Sequence, residues 1–271
     1  MEPCLNQATV MQCSAEEFVR AAANAGFRQV ELRFEKVEEY LMKQSVRTLR
    51  QLLSRLDVKV VGLDGLELFS LIPEDNYPLI AKKAELLLSV CEWLDAEMLV
   101  LVPSHGREDM NRQEVLALTA DRLNRLGELA KAKHIRLALE IVGNRQFSLR
   151  RIDDALQVLQ RLPENQVVLA LDNICLHEGG NELGDLAPLT AGAIGLVHAN
   201  DVRVTPNREY ELADRVFPGE GELDLHPFFA LLKEKGYEGP VSVELFNPKI
   251  WSLSAEEAAK RAWCSIQQFL A

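Results

Sequence analysis

The chain has 271 residues, enough for one domain with a large core and close to the roughly 250 residues of a parallel β/α barrel. Its 48% hydrophobic and 26% charged residues are typical of an ordered soluble chain and argue against disorder. Asp and Glu outnumber Lys and Arg by 41 to 30, and the formal charge of -11 repels polyanions, which disfavours nucleic acid as a partner.

The cysteines and the first residues bear on the cellular compartment. Five cysteines are scattered without a CxxC pair, and an odd number in a chain of this length argues against a disulfide framework. The first ten residues, MEPCLNQATV, have neither the charged start nor the long apolar stretch of a signal peptide. No apolar run approaches the roughly 18 residues of a membrane helix. We therefore expect a cytoplasmic protein with no membrane partner.

Strand-like and helix-like segments alternate along the first half of the chain, a pattern that predicts a parallel sheet wrapped by helices. The first strand is expected near residues 4–8, followed by a helix that Ser14 caps and Gly26 ends. Strands two, three and four are expected in QVELRF, VKVVGLDG and EMLVLVPS, with helical periodicity between them, including VEEYLMKQSVRTLRQLLSRL. A further helix is expected from about Arg112 to Ala132.

In the second half, four short apolar runs each end on a side chain that can bind a metal. Strand five, LALEIVG, ends at Glu140, and strand six, VVLALDN, ends at Asp172. Strand seven, IGLVHAND, carries His198, and strand eight, VSVELFN, carries Glu244. Short runs that are rich in Leu or β-branched residues and are followed by polar residues indicate buried parallel strands.

Helices and one long loop account for the rest of this half. A helix is expected to begin at Ser148 and to stop at Pro163, and NICLHEGGN after strand six is expected to be a loop followed by a short helix. Residues 199–223 are the longest irregular stretch, and loops of that length in compact domains are usually lids or binding loops. The count reaches eight β/α units, which predicts a single (β/α)8 barrel over residues 1–271.

Four metal-binding side chains at the ends of successive strands predict one shared site. The C-terminal ends of parallel barrel strands surround a single mouth, where ligands and catalytic groups lie. Adjacent strands are roughly 4.8 Å apart, so that their end residues can surround one ion. Any one of these residues could instead be a helix cap or a salt-bridge partner, and only the combination favours a metal site. Three carboxylates and one imidazole suit Mn2+ or Mg2+, with Zn2+ or Co2+ as alternatives.

The segments GLVHAND, DRVFPGEGELDL and GPVSVELFNP, together with LNQAT, LALEIVGN and SAEEAAK, resemble the sugar isomerase and epimerase superfamily with a xylose-isomerase-like barrel. Within it, the likeness is greatest to the inosose (2-keto-myo-inositol) isomerases. The resemblance spans nearly the whole chain and implies a TIM barrel, in agreement with the count of eight units. Carried over residue by residue, the metal ligands of the family fall on Glu140, Asp172, His198 and Glu244.

The resemblance also implies a mechanism and a division of roles. Isomerisation beside a carbonyl removes a proton from carbon, and a metal chelated by the carbonyl and the neighbouring hydroxyl oxygen stabilises the resulting enediolate. Two ligating glutamates of the family flank the substrate, so that Glu140 and Glu244 are the candidates for the acid/base pair. Asp172 and His198 are then expected mainly to hold the ion. Which glutamate is the acid and which the base is left open.

Other residues are candidates for contact with the substrate. Many family members have a His three residues after the Asp of strand six, where this chain has Cys175. His177, two residues further on, is implied to face the substrate, with a structural loop His as the alternative. Arg203 and Arg215 lie in the long loop, where they could hold substrate hydroxyls or form surface ion pairs. Glu31 is expected to end strand two facing the mouth, where it could contact substrate or serve in packing.

Three functions remain in competition. The first is an isomerase or epimerase of a keto-polyol, such as an inosose, or of a ketose. The second is a metal-dependent dehydratase of a related cyclic polyol, because the same enediolate can expel a β-hydroxyl. The third is a non-catalytic sugar-binding barrel, since fold does not determine function. A nuclease with several zinc ions is disfavoured by the five histidines and the negative charge. A homodimer or a homotetramer is considered because barrels of this kind often form them.

Overall fold

The structure is a computed structural model that describes residues 1–164, 166–204 and 210–270. The strands in these ranges are β1 Glu2–Asn6, β2 Gln29–Arg33, β3 Lys59–Glu67, β4 Met98–Val102, β5 Arg136–Glu140, β6 Val167–Asp172, β7 Ile194–Ala199, β8 Asp201–Val202, β9 Arg215–Val216 and β10 Pro240–Val243. The α-helices are α1 Ala15–Ala25, α2 Phe34–Leu41, α3 Val46–Leu56, α4 Tyr77–Leu94, α5 Arg112–Lys131, α6 Ile152–Leu159, α7 Asn173–Glu178, α8 His226–Glu234, α9 Pro248–Trp251 and α10 Ala255–Leu270.

Eight of the strands form a closed parallel barrel in the order β1-β10-β7-β6-β5-β4-β3-β2, and β1 pairs with both β2 and β10 to close it. Helices follow most of the barrel strands and pack around the outside. This architecture confirms the predicted (β/α)8 barrel. None of the helices in the described ranges is both long and apolar enough to cross a membrane.

The period of two along each strand divides the core into two layers. Side chains that point outward, such as Leu137 and Leu139 of β5, pack against the helices in the larger core. Side chains that point inward fill the barrel with a small cluster of eight residues: Cys4, Val61, Met98, Val100, Ala138, Val168, Ala170 and Leu196. Beyond this cluster, the next side chains that point inward lie at the C-terminal mouth of the barrel. The candidate site residues are found there.

Local signals account for much of the first half. Ser14 accepts a hydrogen bond from the backbone of Glu17, whose side chain accepts one in return from the Ser14 backbone, which is a complete capping box. Gly26 ends α1 with a φ of +118°, a conformation that favours glycine. The predicted ends of α1 are confirmed, and so is the helix expected from Arg112.

Other boundaries differ from the predictions. The first strand ends at Asn6, and residues 7–10 form a short 3-10 helix. The segment after β2 forms two helices instead of one, and Ser45 caps the second. The helix expected from Ser148 begins at Ile152, because the Ser148 amide donates to the carbonyl of Ser104 in the preceding β/α loop. The helix α7 begins directly after β6, without the expected intervening loop.

The long stretch at residues 199–223 is partly ordered by one buried carboxylate, although residues 205–209 lie outside the described part of the chain. Strands β8 and β9 form a small antiparallel sheet. Asp201 accepts hydrogen bonds from the backbone amides of Val202, Gly219, Gly221 and Leu223 at 2.7–3.1 Å. These four bonds wrap the PGEG turn around Asp201 and hold β9 beside the barrel mouth.

Candidate metal centre

Four strand ends place three carboxylates and one imidazole at the barrel mouth. The side chains of Glu140, Asp172, His198 and Glu244 each offer a ligand atom, and these atoms all lie within 4.8 Å of one another. Because side chains alternate in direction along a strand, all four point into the barrel. Each lies two residues after a buried side chain that also points inward: Ala138, Ala170, Leu196 and Ser242. Three are at most 3% exposed, and Glu140 is 9% exposed. The structure therefore brings together the four residues that the sequence pattern selected.

The His198 ring is held from both sides. Its Nδ1 lies 3.2 Å from Glu140 Oε1 and 3.7 Å from Glu244 Oε2, and so faces the other donors. Its Nε2 lies 3.2 Å from both oxygens of Glu31, and Ser242 Oγ donates to Glu31 Oε2 at 2.9 Å. A carboxylate on the far nitrogen of a metal-binding histidine fixes the ring and its tautomer. Nδ1 is thus the nitrogen available to an ion.

Glu31 differs in position from the expectation that it faces substrate at the mouth. It lies within β2, has no exposed surface and is turned toward His198 and Ser242. The carboxylate does not border the cavity that is described below, and its substrate role stays a prediction without a contact to support it.

Asp172 combines the two roles that the sequence pattern left open. Its Oδ1 accepts the backbone amide of Cys175 at 2.9 Å and so caps α7. Its Oδ2 accepts Asn200 Nδ2 at 2.9 Å and lies 2.9 Å from Arg215 Nη1. One carboxylate thereby caps a helix and also offers an oxygen to the candidate centre.

Arg215, at the start of β9, reaches into the donor cluster. Its Nη1 is 2.8 Å from Glu244 Oε2, and its Nη2 is 3.7 Å from Cys175 Sγ. Its backbone carbonyl accepts Asn247 Nδ2 at 2.8 Å, and the residue is only 6% exposed. Arg215 was predicted as a substrate contact, and the structure places it at the centre. Cys175 Sγ is thus a hydrogen-bond acceptor for this guanidinium.

The electrostatics of the cluster favour a cation. Burial, together with the neighbouring charges of Glu140 and Asp64, raises the pKa of Glu244 to about 8. Burial opposes a charged His198, but Glu244 and Glu31 outweigh it and raise the pKa of the imidazole well above its usual value. Burial would likewise raise the pKa of Asp172, but Arg215 and His198 outweigh it and lower that pKa. The centre thus has more carboxylates than basic groups, and the raised pKa of Glu244 keeps a proton on that buried carboxyl group at neutral pH. A divalent ion could replace this proton.

A cavity of about 750 Å³ opens above the centre, within the size range of small-molecule sites. Glu140, Glu244 and Arg215 border it, whereas the fully buried Asp172 and His198 do not. Apolar side chains contribute much of its wall, among them Phe147, Ile174, Leu212, Phe246 and Trp251.

The remaining predicted contacts lie further out. His177 is exposed on α7, and its ring stacks at 6.1 Å on Tyr210, which borders the cavity. Arg203 is exposed just before the undescribed residues 205–209 and does not border the cavity. Their roles toward substrate stay predictions.

Sequence reasoning named Asn6 as a residue that could contact substrate or serve in packing, and it missed other buried polar groups at the mouth. Asn6 Nδ2 donates to Glu244 Oε1 at 3.2 Å, and Asn200 binds Asp172. Arg33 and Asp64 form a buried ion pair at the cavity wall. Asn6 lies two residues after the inward-facing Cys4, so a count of alternate positions from the apolar cluster selects it. Asp64 lies three residues after Val61, because the register between β2 and β3 shifts at this point, and such a count would not select it.

Comparison with known proteins now adds to this geometry. A family model for the xylose isomerase-like TIM barrel matches residues 19–265. The chain belongs to this family. The match spans all barrel strands except β1, and with them the four donor residues, so that the xylose isomerase-like barrel is the framework of the centre.

Individual relatives of this xylose isomerase-like barrel match along most of its length. An inosose isomerase from Halalkalibacterium halodurans is 30% identical over 264 residues, which cover 97% of this chain and 94% of that protein. A crystal structure of the IolI protein with a bound zinc atom has a TM-score of 0.95 at 27% identity, covering 100% of this chain and 98% of that one. A 3-dehydroshikimate dehydratase from Pseudomonas aeruginosa is 28% identical over 235 residues, which cover 85% of this chain and 36% of that protein.

Proposed function

We propose that this protein is a divalent-metal-dependent isomerase of a keto-polyol or ketose, with an inosose as the best-supported substrate. The observation that carries the proposal is the division of the donor set. Glu140 and Glu244 border a cavity large enough for a six-membered ring, while Asp172 and His198 are fully buried. The full-length similarity to an inosose isomerase supports the substrate class.

Glu140, Asp172, His198 and Glu244 would hold the ion, for which we propose manganese, with Mg2+, Zn2+ or Co2+ as alternatives. The zinc in the IolI protein supports a divalent ion in this fold. When bound, the ion supplies a Lewis acid that stabilises negative charge on oxygen next to the reacting carbon.

We assign the movement of the proton to the two glutamates at the cavity. Glu244 is fixed at both oxygens, by Asn6 at Oε1 and by Arg215 at Oε2. Among the described residues, Glu140 has a hydrogen-bond contact only to His198, through Oε1, which leaves Oε2 to take a proton from carbon. Arg215 contributes a positive charge beside Glu244 that would hold a substrate oxygen. The apolar part of the wall would limit the access of water to the reacting carbon.

The reaction is tested by incubating the Mn2+-loaded protein in D2O with a panel of inososes and ketoses and following the products by NMR. We expect deuterium at the carbon next to the carbonyl of at least one substrate, and no incorporation after EDTA treatment until Mn2+ is restored. A panel without any incorporation, or incorporation that EDTA leaves unchanged, would contradict the proposal.

The acid/base assignment is tested with Glu140→Gln and Glu244→Gln at saturating Mn2+. Each variant is expected to lose roughly 100-fold or more of kcat, because each removes a group that carries the proton. Glu85→Gln, on the exposed face of α4, is the control and should keep wild-type kcat. Near wild-type turnover in either cavity variant would refute its assignment.

Dehydration is the second candidate, supported by the similarity to a 3-dehydroshikimate dehydratase. Abstraction of the same proton followed by loss of a β-hydroxyl would give an unsaturated product. Mass spectrometry of the same incubations separates the two, because isomerisation leaves the substrate mass unchanged and dehydration lowers it by one water.

A further inference from the structure

The cavity has a second polar end, on the opposite side of the barrel from the metal donors. The donors occupy the continuous arc of β5, β6, β7 and β10, whereas Arg33 and Asp64 lie at paired positions of β2 and β3 across the mouth. Both side chains border the cavity. They are 8% and 3% exposed, so that their charges face the cavity and not open solvent.

Arg33 is held beside Asp64 by carboxylates on three of its nitrogens. Its Nη1 donates to Asp64 Oδ2 at 2.6 Å, and Nε and Nη2 donate to Glu35 and Glu67 at 3.1–3.3 Å. The guanidinium also lies 5.3 Å from the centre of the Phe246 ring, two residues beyond Glu244. This set of contacts fixes the position of Asp64 from one side.

Asp64 itself is left with an open acceptor. Among the described residues, Arg33 alone hydrogen-bonds its carboxylate, through Oδ2, and Oδ1 has no partner. Burial raises the pKa of Asp64 to about 6, so that the group is still ionised at neutral pH. Because Asp64 borders the cavity, a ligand hydroxyl could donate to Oδ1 in place of water.

We infer that Arg33 and Asp64 form a hydroxyl-binding subsite, in which Asp64 Oδ1 accepts a hydrogen bond from a ring hydroxyl of a cyclic polyol remote from the metal donors. The inference rests on the proposed function for its substrate class. Arg33 acts as the positioning residue of this subsite. The subsite favours rings that carry a hydroxyl remote from the metal donors over rings whose only hydroxyls are one vicinal pair.

The test is calorimetric binding to the Mn2+-loaded protein, which needs no turnover. The probes are myo-inositol, which has hydroxyls around the whole ring, and trans-1,2-cyclohexanediol, which has one vicinal pair. We expect wild type to bind myo-inositol more tightly, and Asp64→Ala to weaken that binding roughly 10- to 100-fold, the loss of a hydrogen bond to a charged group, while leaving the diol unaffected. Asp64→Asn keeps the volume and an acceptor and should lose less.

Glu85→Gln is the control, since it removes a carboxylate on the exposed face of α4 that does not border the cavity. Its affinity for both probes should equal that of wild type. Mn2+ affinity and circular dichroism report whether each variant is folded, and Asp64→Asn carries the test if Asp64→Ala does not fold.

Folded Asp64 variants with wild-type affinity for myo-inositol, or with equal losses for both probes, would overturn the inference. The two proposals fail separately. Asp64-dependent binding without deuterium exchange on any substrate would refute the isomerase and leave the subsite standing. Deuterium exchange with an unchanged KM in Asp64→Ala would refute the subsite and leave the isomerase standing.

Discussion

At the residue scale, the role of a carboxylate beside His198 depends on which ring nitrogen it faces. Glu31 and Glu140 are both 3.2 Å from His198, but on different nitrogens. Glu140 shares the Nδ1 side with the other donors and borders the cavity, whereas Glu31 shares the Nε2 side with Ser242 and has no exposed surface. Glu31 is therefore placed to orient the imidazole.

Substitution of Glu31 separates this orienting role from the substrate contact predicted from sequence. We expect Glu31→Gln to weaken Mn2+ binding roughly 10- to 100-fold while KM at saturating Mn2+ stays near wild type. Isothermal titration and steady-state kinetics on the same preparations measure both quantities. A raised KM with unchanged Mn2+ affinity would favour the substrate contact instead. Ser242→Ala removes one bond to Glu31 and should have a smaller effect in the same direction.

The protons of the metal-free centre predict a pH dependence of metal binding. Burial and neighbouring carboxylates raise the pKa of Glu244 to about 8, and the surrounding carboxylates raise that of His198 well above its usual value despite burial. Below about pH 8 these groups hold protons that an ion must displace, so that affinity should increase as pH rises, by about tenfold per unit for each proton released. Calorimetry in two buffers of different ionisation enthalpy measures the protons released. An affinity that is constant between about pH 6 and pH 8 would contradict this coupling.

At the element scale, the long β7–α8 connection is organised by Asp201. The four amides that this carboxylate accepts come from both ends of the connection, and β9 within it delivers Arg215 to the centre. Gly221 is needed at this point because a Cβ there would lie 2.2 Å from Asp201 Oδ1. The need for glycine at position 221 is thus connected to the position of Arg215, 6 residues earlier in the chain.

Gly221→Ala tests this link. We expect a loss of roughly 1–3 kcal/mol in the free energy of unfolding and a lower kcat, because the displaced Asp201 leaves backbone amides unpaired and shifts Arg215. Urea unfolding and steady-state kinetics are the measurements. Gly192→Ala is the matched control, because a Cβ there meets nothing within 4 Å, and it should be nearly neutral. Equal effects of the two substitutions would refute the anchoring role of the turn.

At the scale of the whole molecule, the four donors join half of the barrel. Three of them lie on β5, β6 and β7, and Glu244 directly follows β10. These four strands are neighbours in the barrel, although they span residues 136–243 of the sequence. A ligand that binds all four would oppose the separation of these strands during unfolding. Metal binding and folding are therefore expected to be coupled.

This coupling predicts that Mn2+ raises the melting temperature. At a free concentration of about 100 times Kd, an ion that binds only the folded state adds about 2.7 kcal/mol, or roughly 5 °C or more for a chain of this size. Differential scanning calorimetry with Mn2+ and after EDTA measures the shift. A melting temperature that does not depend on Mn2+ would argue against an ion held by all four strands.

The sequence by itself predicted the barrel and brought out the four candidate donors. Alternate apolar positions, such as Ala138 before Glu140 and Ala170 before Asp172, predict both the strand and the inward direction of the residue at its end. Parallel strands in a closed barrel then bring such ends to one mouth, whatever the helices around them do. Local capping signals at Ser14 and Gly26 likewise predicted where α1 begins and ends.

Only the tertiary structure decided which neighbours each donor has. Glu31 meets His198 across 167 residues of sequence, and Arg215 reaches Glu244 from a loop whose course depends on Asp201. The helix expected at Ser148 is delayed for the same kind of reason, since the Ser148 amide binds a neighbouring loop. Such contacts depend on the register and closure of the whole barrel, which arise from packing between distant segments and leave no local pattern of spacing in the sequence.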